Sequence, residues 1–227
     1  MKKERRAIEL NLKNNILKGC IKFNISMQII IMKKDNLATF GGIVVRKTMW
    51  KGSLSVTLSI MTDNHKNFPT ITFFGDLAEE YDHSIKMGDN VVIKAYATST
   101  KKIKDGEVHY YKSFVGVSLE DAVLYAINNN ITQRGYIYIN NISLVGEIVN
   151  LFSTKNITIA TMKLVGDRLA FIPVSCFNGA KERMDSINKG DHIALIGKVS
   201  TYIRNIDGYK VGEESVVCDR FTKIEPV

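Results

Sequence analysis

One stretch of this chain occurs twice. Phe68 to Asp89 reads FPTITFFGDLAEEYDHSIKMGD, and Phe171 to Asp191 reads FIPVSCFNGAKERMDSINKGD. At an offset of 103, Phe68 matches Phe171, Phe74 matches Phe177 and Glu79 matches Glu182; after a one-residue deletion, Gly88-Asp89 matches Gly190-Asp191. A long, fixed period means one folding unit made twice, and 227 residues leave room for two domains of about 100 residues each.

Within each copy a period of two sorts the strand onto two faces. Ile71 and Phe73 oppose Phe68, Thr70, Thr72 and Phe74; Ile172, Val174 and Cys176 oppose Phe171, Pro173, Ser175 and Phe177. The first set in each copy is core. The second set is small or polar, with a large ring at each end. Rings on a solvated face need a flat partner, and a nucleobase is one.

The flanking segments follow one plan. Leu37–Arg46 carries Gly41-Gly42, glycines that mark a bend or bulge in a strand. The segment Arg46–Ser53 reads as a loop with Trp50 between Lys47 and Lys51, and SLSVTLSIMT after it alternates as a half-buried strand. The doubled strand comes next, then a short helix closed by Gly88, a strand NVVIKAYATST, a turn at Asp105-Gly106 and a return strand VHYYKSFVGV. Five strands with a helix between the third and fourth is the order of an OB-fold barrel. Ser118-Leu-Glu-Asp121 resembles a capping box that opens a short helix, stopped by Asn128-Asn129-Asn130. The plan then repeats through YIYI (Tyr136–Ile139), ISLVGEIVNL with Gly146 opposite Gly42, NITIATMKLV, the second doubled strand, HIALIGKVSTYI, a turn at Asp207-Gly208 and ESVVCDRFTKI. The expected fold class is therefore all-β: two tandem five-stranded OB-fold barrels, each with a short helix between strands 3 and 4. The expected boundaries are a basic arm at 1–26, a first domain at 27–122 that opens with the strand Met27–Met32, a linker at 123–135 and a second domain at 136–227.

Charge is unevenly placed. Of the net +8, residues 1–35 contribute +6, from 9 Lys+Arg against 3 Asp+Glu. A basic arm on near-neutral domains fits a polyanion, or is a solubilising tail. Three widely spaced cysteines suit free thiols in a reducing cytoplasm, and no run is long and apolar enough to span a membrane. No H-E-x-x-H, C-x-x-C, G-x-x-x-x-G-K-[ST] or G-x-S-x-G occurs, so neither an enzyme nor a metal or other cofactor is expected. The acidic cluster Asp76, Glu79, Glu80 and Asp82 reads as a solvated helix face.

The segments FFGDLAE, KMGDNVVIKAYATST, NISLVGEI, FIPVSCFNGAKE and NKGDHIALIGKVST, in this order, make the chain resemble the bacterial single-stranded DNA-binding protein family over residues 37–117 and 141–225. The resemblance implies sequence-independent binding and protection of single-stranded DNA in replication or recombination, in a bacterial cell, a phage or a mobile element. It also implies that Phe68, Phe74, Phe171 and Phe177 stack on bases. Members usually carry one such domain and form tetramers, so two domains suggest a dimer or a monomer. The family's acidic, partner-recruiting tail is expected to be absent, the sequence ending in Lys223-Ile-Glu-Pro-Val227.

Around the four rings, the candidate binding residues are Trp50 with Lys47 and Lys51, the first hairpin's Lys101, Lys102 and Lys104, and the second hairpin's Tyr202, Arg204 and Lys210. Tyr110 and Tyr111 are adjacent, so one of them faces the core. Phe152 beside Lys155 stands in a loop comparable to that of Trp50. Two other readings stand: the rings pack at a protein interface in a replication or conjugation assembly, or the grooves hold RNA.

Overall fold

Leu54, Val56, Leu58 and Ile60 are fully buried along β2 (Ser53–Thr62), while the hydroxyl residues between them stay half-buried. That period-two sorting organises the whole computed structural model, which describes residues 36–104, 107–131, 135–165, 169–206 and 209–226; the side chains of 104, 107–110, 204–206 and 209–211 are not described. The expected arm, the expected strand Met27–Met32 and both Asp-Gly turns lie outside the described residues.

The strands are β1 (Asn36–Trp50), β2, β3 (His65–Asn67), β4 (Thr70–Phe74), β5 (Asn90–Lys104), β6 (Glu107–Asp121), β7 (Ile139–Ser153), β8 (Thr158–Leu164), β9 (Phe171–Cys176), β10 (His192–Ile206) and β11 (Tyr209–Ile224). The helices are α1 (Asp76–Ser84), α2 (Ala122–Asn128) and α3 (Asn178–Met184). Strand pairing runs in a ring, β1-β5-β6-β4-β2 and back to β1, with only β4–β6 parallel. The later strands pair in the same way, β7-β10-β11-β9-β8 and back to β7, with only β9–β11 parallel. Antiparallel pairing of Asn36–Gly41 with Ile139–Leu144 joins β1 to β7.

The irregularities recur as well. The ladder slips between Val44 and Arg46 on β1 and between Ile148 and Asn150 on β7, and again between Lys94 and Ala95 on β5 and between Ile196 and Gly197 on β10. Just before the first pair stand Gly42 and Gly146, where a Cβ would lie 2.6 Å from the Ser59 carbonyl oxygen and 2.4 Å from that of Lys163. No side chain fits there, so the strands cross closely and the sheet bends. Phe40, Phe73 and Phe114 fill the core beneath β1 and β4, and Ile142, Leu144, Ile148 and Met162 fill it beneath β7 and β8.

Three local expectations are corrected. The Arg46–Ser53 loop is mostly strand: β1 runs to Trp50, and only Lys51 (φ 47°) and Gly52 (φ 73°) turn. A two-residue turn with positive φ at both positions matches the twist of the flanking strands. YIYI is not a strand of its own, since only Ile139 is paired; the Ile137 backbone is held instead by the Asn90 side chain, whose Oδ1 accepts from Ile137 N–H at 2.8 Å and whose Nδ2 donates to its carbonyl at 3.1 Å. Ser118 does not cap α2, because it stays paired with Lys94 on β5; Asp121 is the cap, accepting from Val123 N–H at 2.8 Å and Leu124 N–H at 3.3 Å. Among the described residues no helix is long and apolar enough to cross a membrane.

Candidate nucleic-acid interface

Residues paired laterally across strands share a face, so register shows which groups stand together. Trp50 pairs with Ser53 and Ser53 with Phe74; the next rows are Thr48, Ser55, Thr72 and then Arg46, Thr57, Thr70. This outward face of β1, β2 and β4 is a hydroxyl carpet, tied by Ser55–Thr72 at 3.3 Å and Thr57–Thr70 at 2.9 Å. Its far edge carries two rings, Trp50 (65% exposed) and Phe74 (56%). Lys51 Nζ lies over the Trp50 ring, 4.6 Å from its centroid, so the cation covers one face of an otherwise exposed indole. Phe68 is exposed at the opposite end, before β4.

Register also adds a residue and separates one. Arg46 shares the Trp50 face and is exposed; its spacing of two and four from Thr48 and Trp50 was the available signal. Lys47 pairs with Val56 on the other face, where its Nζ bonds the carboxylate of Asp82 at 3.0 Å and the carbonyls of Asp82 and Ile85 at 2.5 and 3.2 Å. Its charge is spent on the end of α1.

On β7, β8 and β9 the row Phe152, Ile159 and Ser175 corresponds to Thr48, Ser55 and Thr72, with Phe177 just beyond β9 in the place of Phe74. Phe152 and Phe177 are exposed. Phe171 is only half-buried, and Ser175 is buried, its hydroxyl 2.9 Å from that of Ser215. This face is thus more covered than that of β4. Phe68 and Phe171 meet the other half reciprocally: Phe68 N–H donates to Thr201 Oγ1 at 3.0 Å on β10, and Phe171 N–H donates to Ser99 Oγ at 2.9 Å on β5. The four rings therefore divide into an inner pair at the seam between the halves and an outer pair, Phe74 and Phe177, where each half enters a helix.

The hairpins reach past the sheet. Lys101 is exposed, and Lys102 Nζ lies 5.1 Å from the Tyr111 ring, which is the exposed member of the Tyr110-Tyr111 pair for which a side chain is described. Tyr202 is exposed and donates its hydroxyl to Glu213 Oε2 at 2.9 Å. Lys104 lies on β5, Arg204 on β10 and Lys210 on β11, with their side chains outside the description.

The helix ends beside the outer rings differ in charge. Asp76 and Glu79 occupy the first turn of α1 next to Phe74, whereas Lys181 and Arg183 lie on α3 beyond Phe177. There an open cleft of about 670 Å³ is bordered by Phe177, Arg183, Lys198 and Asp219. Lys198 bridges Asp219 at 3.3 Å and Asp63 at 2.6 Å, and these neighbours raise its pKa. Asp185, which anchors the other end of α3, accepts from Lys181 Nζ at 2.5 Å, from Ser153 Oγ at 2.9 Å and from Thr158 Oγ1, and its pKa falls from 3.8 to about 2. A depressed carboxyl pKa contributes stability above its unfolded value and loses it as pH falls through the folded one. Asp185→Asn is accordingly expected to melt below the unsubstituted chain at pH 7 and level with it near pH 2, measured by circular dichroism; a gap that does not close on acidification would show that the carboxylate is not what holds α3. Among the described residues no His, Cys, Asp and Glu group is placed to hold a metal.

No protein-family model matches the sequence, and no curated protein sequence matches it. By structure the chain is similar to the wild-type single-stranded DNA binding protein from Thermus aquaticus, with a TM-score of 0.61 and 17% identity, covering 84% of this chain and 93% of that one. A deletion variant of the same protein gives a TM-score of 0.61 at 15% identity, covering 84% and 94%. At that identity the likeness is one of fold.

Proposed function

We propose that this chain consists of two tandem OB-fold barrels that bind single-stranded DNA without sequence preference, and that it protects such DNA in replication or recombination. The observation that carries this reading is the outward face of β1, β2 and β4: exposed Trp50 and Phe74 at one edge, Phe68 at the other, and hydroxyl rows between, with Phe177 in the place of Phe74 on the later strands and a further exposed ring, Phe152, one row in. Rings held on a rigid sheet accept any base, because every base has a π face. Arg46 and Lys51 border that face and take phosphates together with Lys101 and Lys102 of the hairpin, while Lys47 positions α1. The likeness to the Thermus aquaticus protein supports the same reading through the fold.

Emission from Trp50, the only tryptophan, is expected to be quenched by oligo-dT whatever magnesium is present. Affinity is expected to fall linearly on a log–log plot against salt, with a slope of about −0.7 per phosphate neutralised. Saturable quenching by oligo-U at tenfold or better affinity over oligo-dT would redirect the reading to RNA. No binding of either polymer at low salt would end it.

A further inference from the structure

Near the seam lies one ion pair that the nucleic-acid reading does not use. Lys112 on β6 pairs in the ladder with Ser99, and Glu214 on β11 pairs with Thr201. Ser99 and Thr201 are the two hydroxyls that receive the Phe171 and Phe68 amides, so Lys112 and Glu214 occupy corresponding positions in the two halves. They touch: Lys112 Nζ lies 3.7 Å from Glu214 Oε2 and also donates to the Glu214 carbonyl, while Glu214 Oε1 accepts from Thr70 N–H at 3.0 Å.

Corresponding residues that contact each other must lie on the axis relating the halves. A second such contact fixes that axis. Ala38 pairs with Ala95 and Ile142 with Gly197, the residues just after the matching slips on β5 and β10, and Ala38 pairs directly with Ile142. An isologous interface repeats every contact, so two identical halves would place the same residue against itself at both points. Two alanines or two isoleucines tolerate that. At the other point the chain carries opposite charges, with side chains only 10% and 26% exposed.

We propose that Lys112 and Glu214 are a pairing code, which lets this seam join a first half to a second half and rejects two like halves. The occupant of the Lys112 face is therefore the Glu214 half, of the same chain or of a second copy that exchanges halves with it. Two first halves would bury ammonium against ammonium, and two second halves carboxylate against carboxylate, in a site where water screens little. The code needs no nucleic acid and stands whether or not the chain binds any.

The test uses the full chain. Lys112→Glu and Glu214→Lys each set like charges on the axis, and each is expected to lower Tm by roughly 5–15 °C. Lys112→Glu is expected to cost more, because Glu213 also acts on this site. The double swap is expected to recover at least half of that loss, the remainder being the bonds to Thr70 N–H and to the Glu214 carbonyl, which the exchanged side chains cannot remake. Refolding the two single variants together offers a second rescue: exchange of halves restores both unlike pairs and yields a particle of twice the mass holding one chain of each. Rescue in either form supports the code, even where a single variant alone fails to fold. Single variants that melt with the unsubstituted chain, or failure of both rescues, overturn it.

Discussion

Phe74→Ala combined with Phe177→Ala is expected to weaken oligo-dT binding at least about thirtyfold, since each stacked base contributes roughly 1–3 kcal/mol. Both rings are largely solvated, at 56% and 42%, so the pair of substitutions removes little packing. Melting temperature is expected to move by no more than about 3 °C, because surface changes cost about 0.5 kcal/mol or less each, and Phe177, the N-cap residue of α3, caps through its backbone carbonyl and not through its ring. The inner rings give a contrast. Phe171 is half-buried at the seam, so Phe171→Ala should perturb stability together with affinity. A double outer variant that folds and binds oligo-dT like the parent would remove stacking from the mechanism; if it lost a protein partner instead, the faces would be protein interfaces.

The second large effect belongs to the fold. In Gly146→Ala the new Cβ would lie 2.4 Å from the Lys163 oxygen, 3.0 Å from its carbonyl carbon and 3.1 Å from Leu164 Cα. All three are backbone atoms of β8, so no rotamer change relieves the clash and β7 must part from β8. Overpacking of this kind costs about 1–3 kcal/mol or more, and at this chain length a drop of roughly 5–10 °C is expected by calorimetry. Gly179→Ala is the control. Nothing lies within 4 Å of its Cβ, and it stands inside α3, where alanine is the better helix former. It should hold or raise Tm, and equal losses in both variants would mean that close strand approach is not why Gly146 is there.

The inward and outward sets of β2, β4 and β9 were legible in the sequence, because each residue type there agrees with its burial and period two needs no tertiary information. Ser175 departs from this: it lies on the outer set yet is buried, since Ser215 of β11 meets it, a contact set by a crossover that no local pattern encodes. Trp50 was legible as a ring between two lysines but not as the end of a strand, because the turn after it uses Lys51 with positive φ where the signals to look for are Gly, Asn or Asp. Arg46 was passed over for a related reason. Once Trp50 is known to end β1, alternation back through Thr48 puts Arg46, and not Lys47, on its face, but a stretch read as a loop has no such parity. The Lys112–Glu214 contact left one trace, a reversal of charge at matched places in the repeat, which carries no meaning until both strands are known to face one another.

Trp50 closes a two-residue turn on one half only, and the chain has no other indole. Its emission therefore watches a single groove. If the two grooves fill in turn, an optical titration will level off, or fail to start, while heat is still being released, and the mismatch between the two curves will reveal which groove a short oligonucleotide enters first.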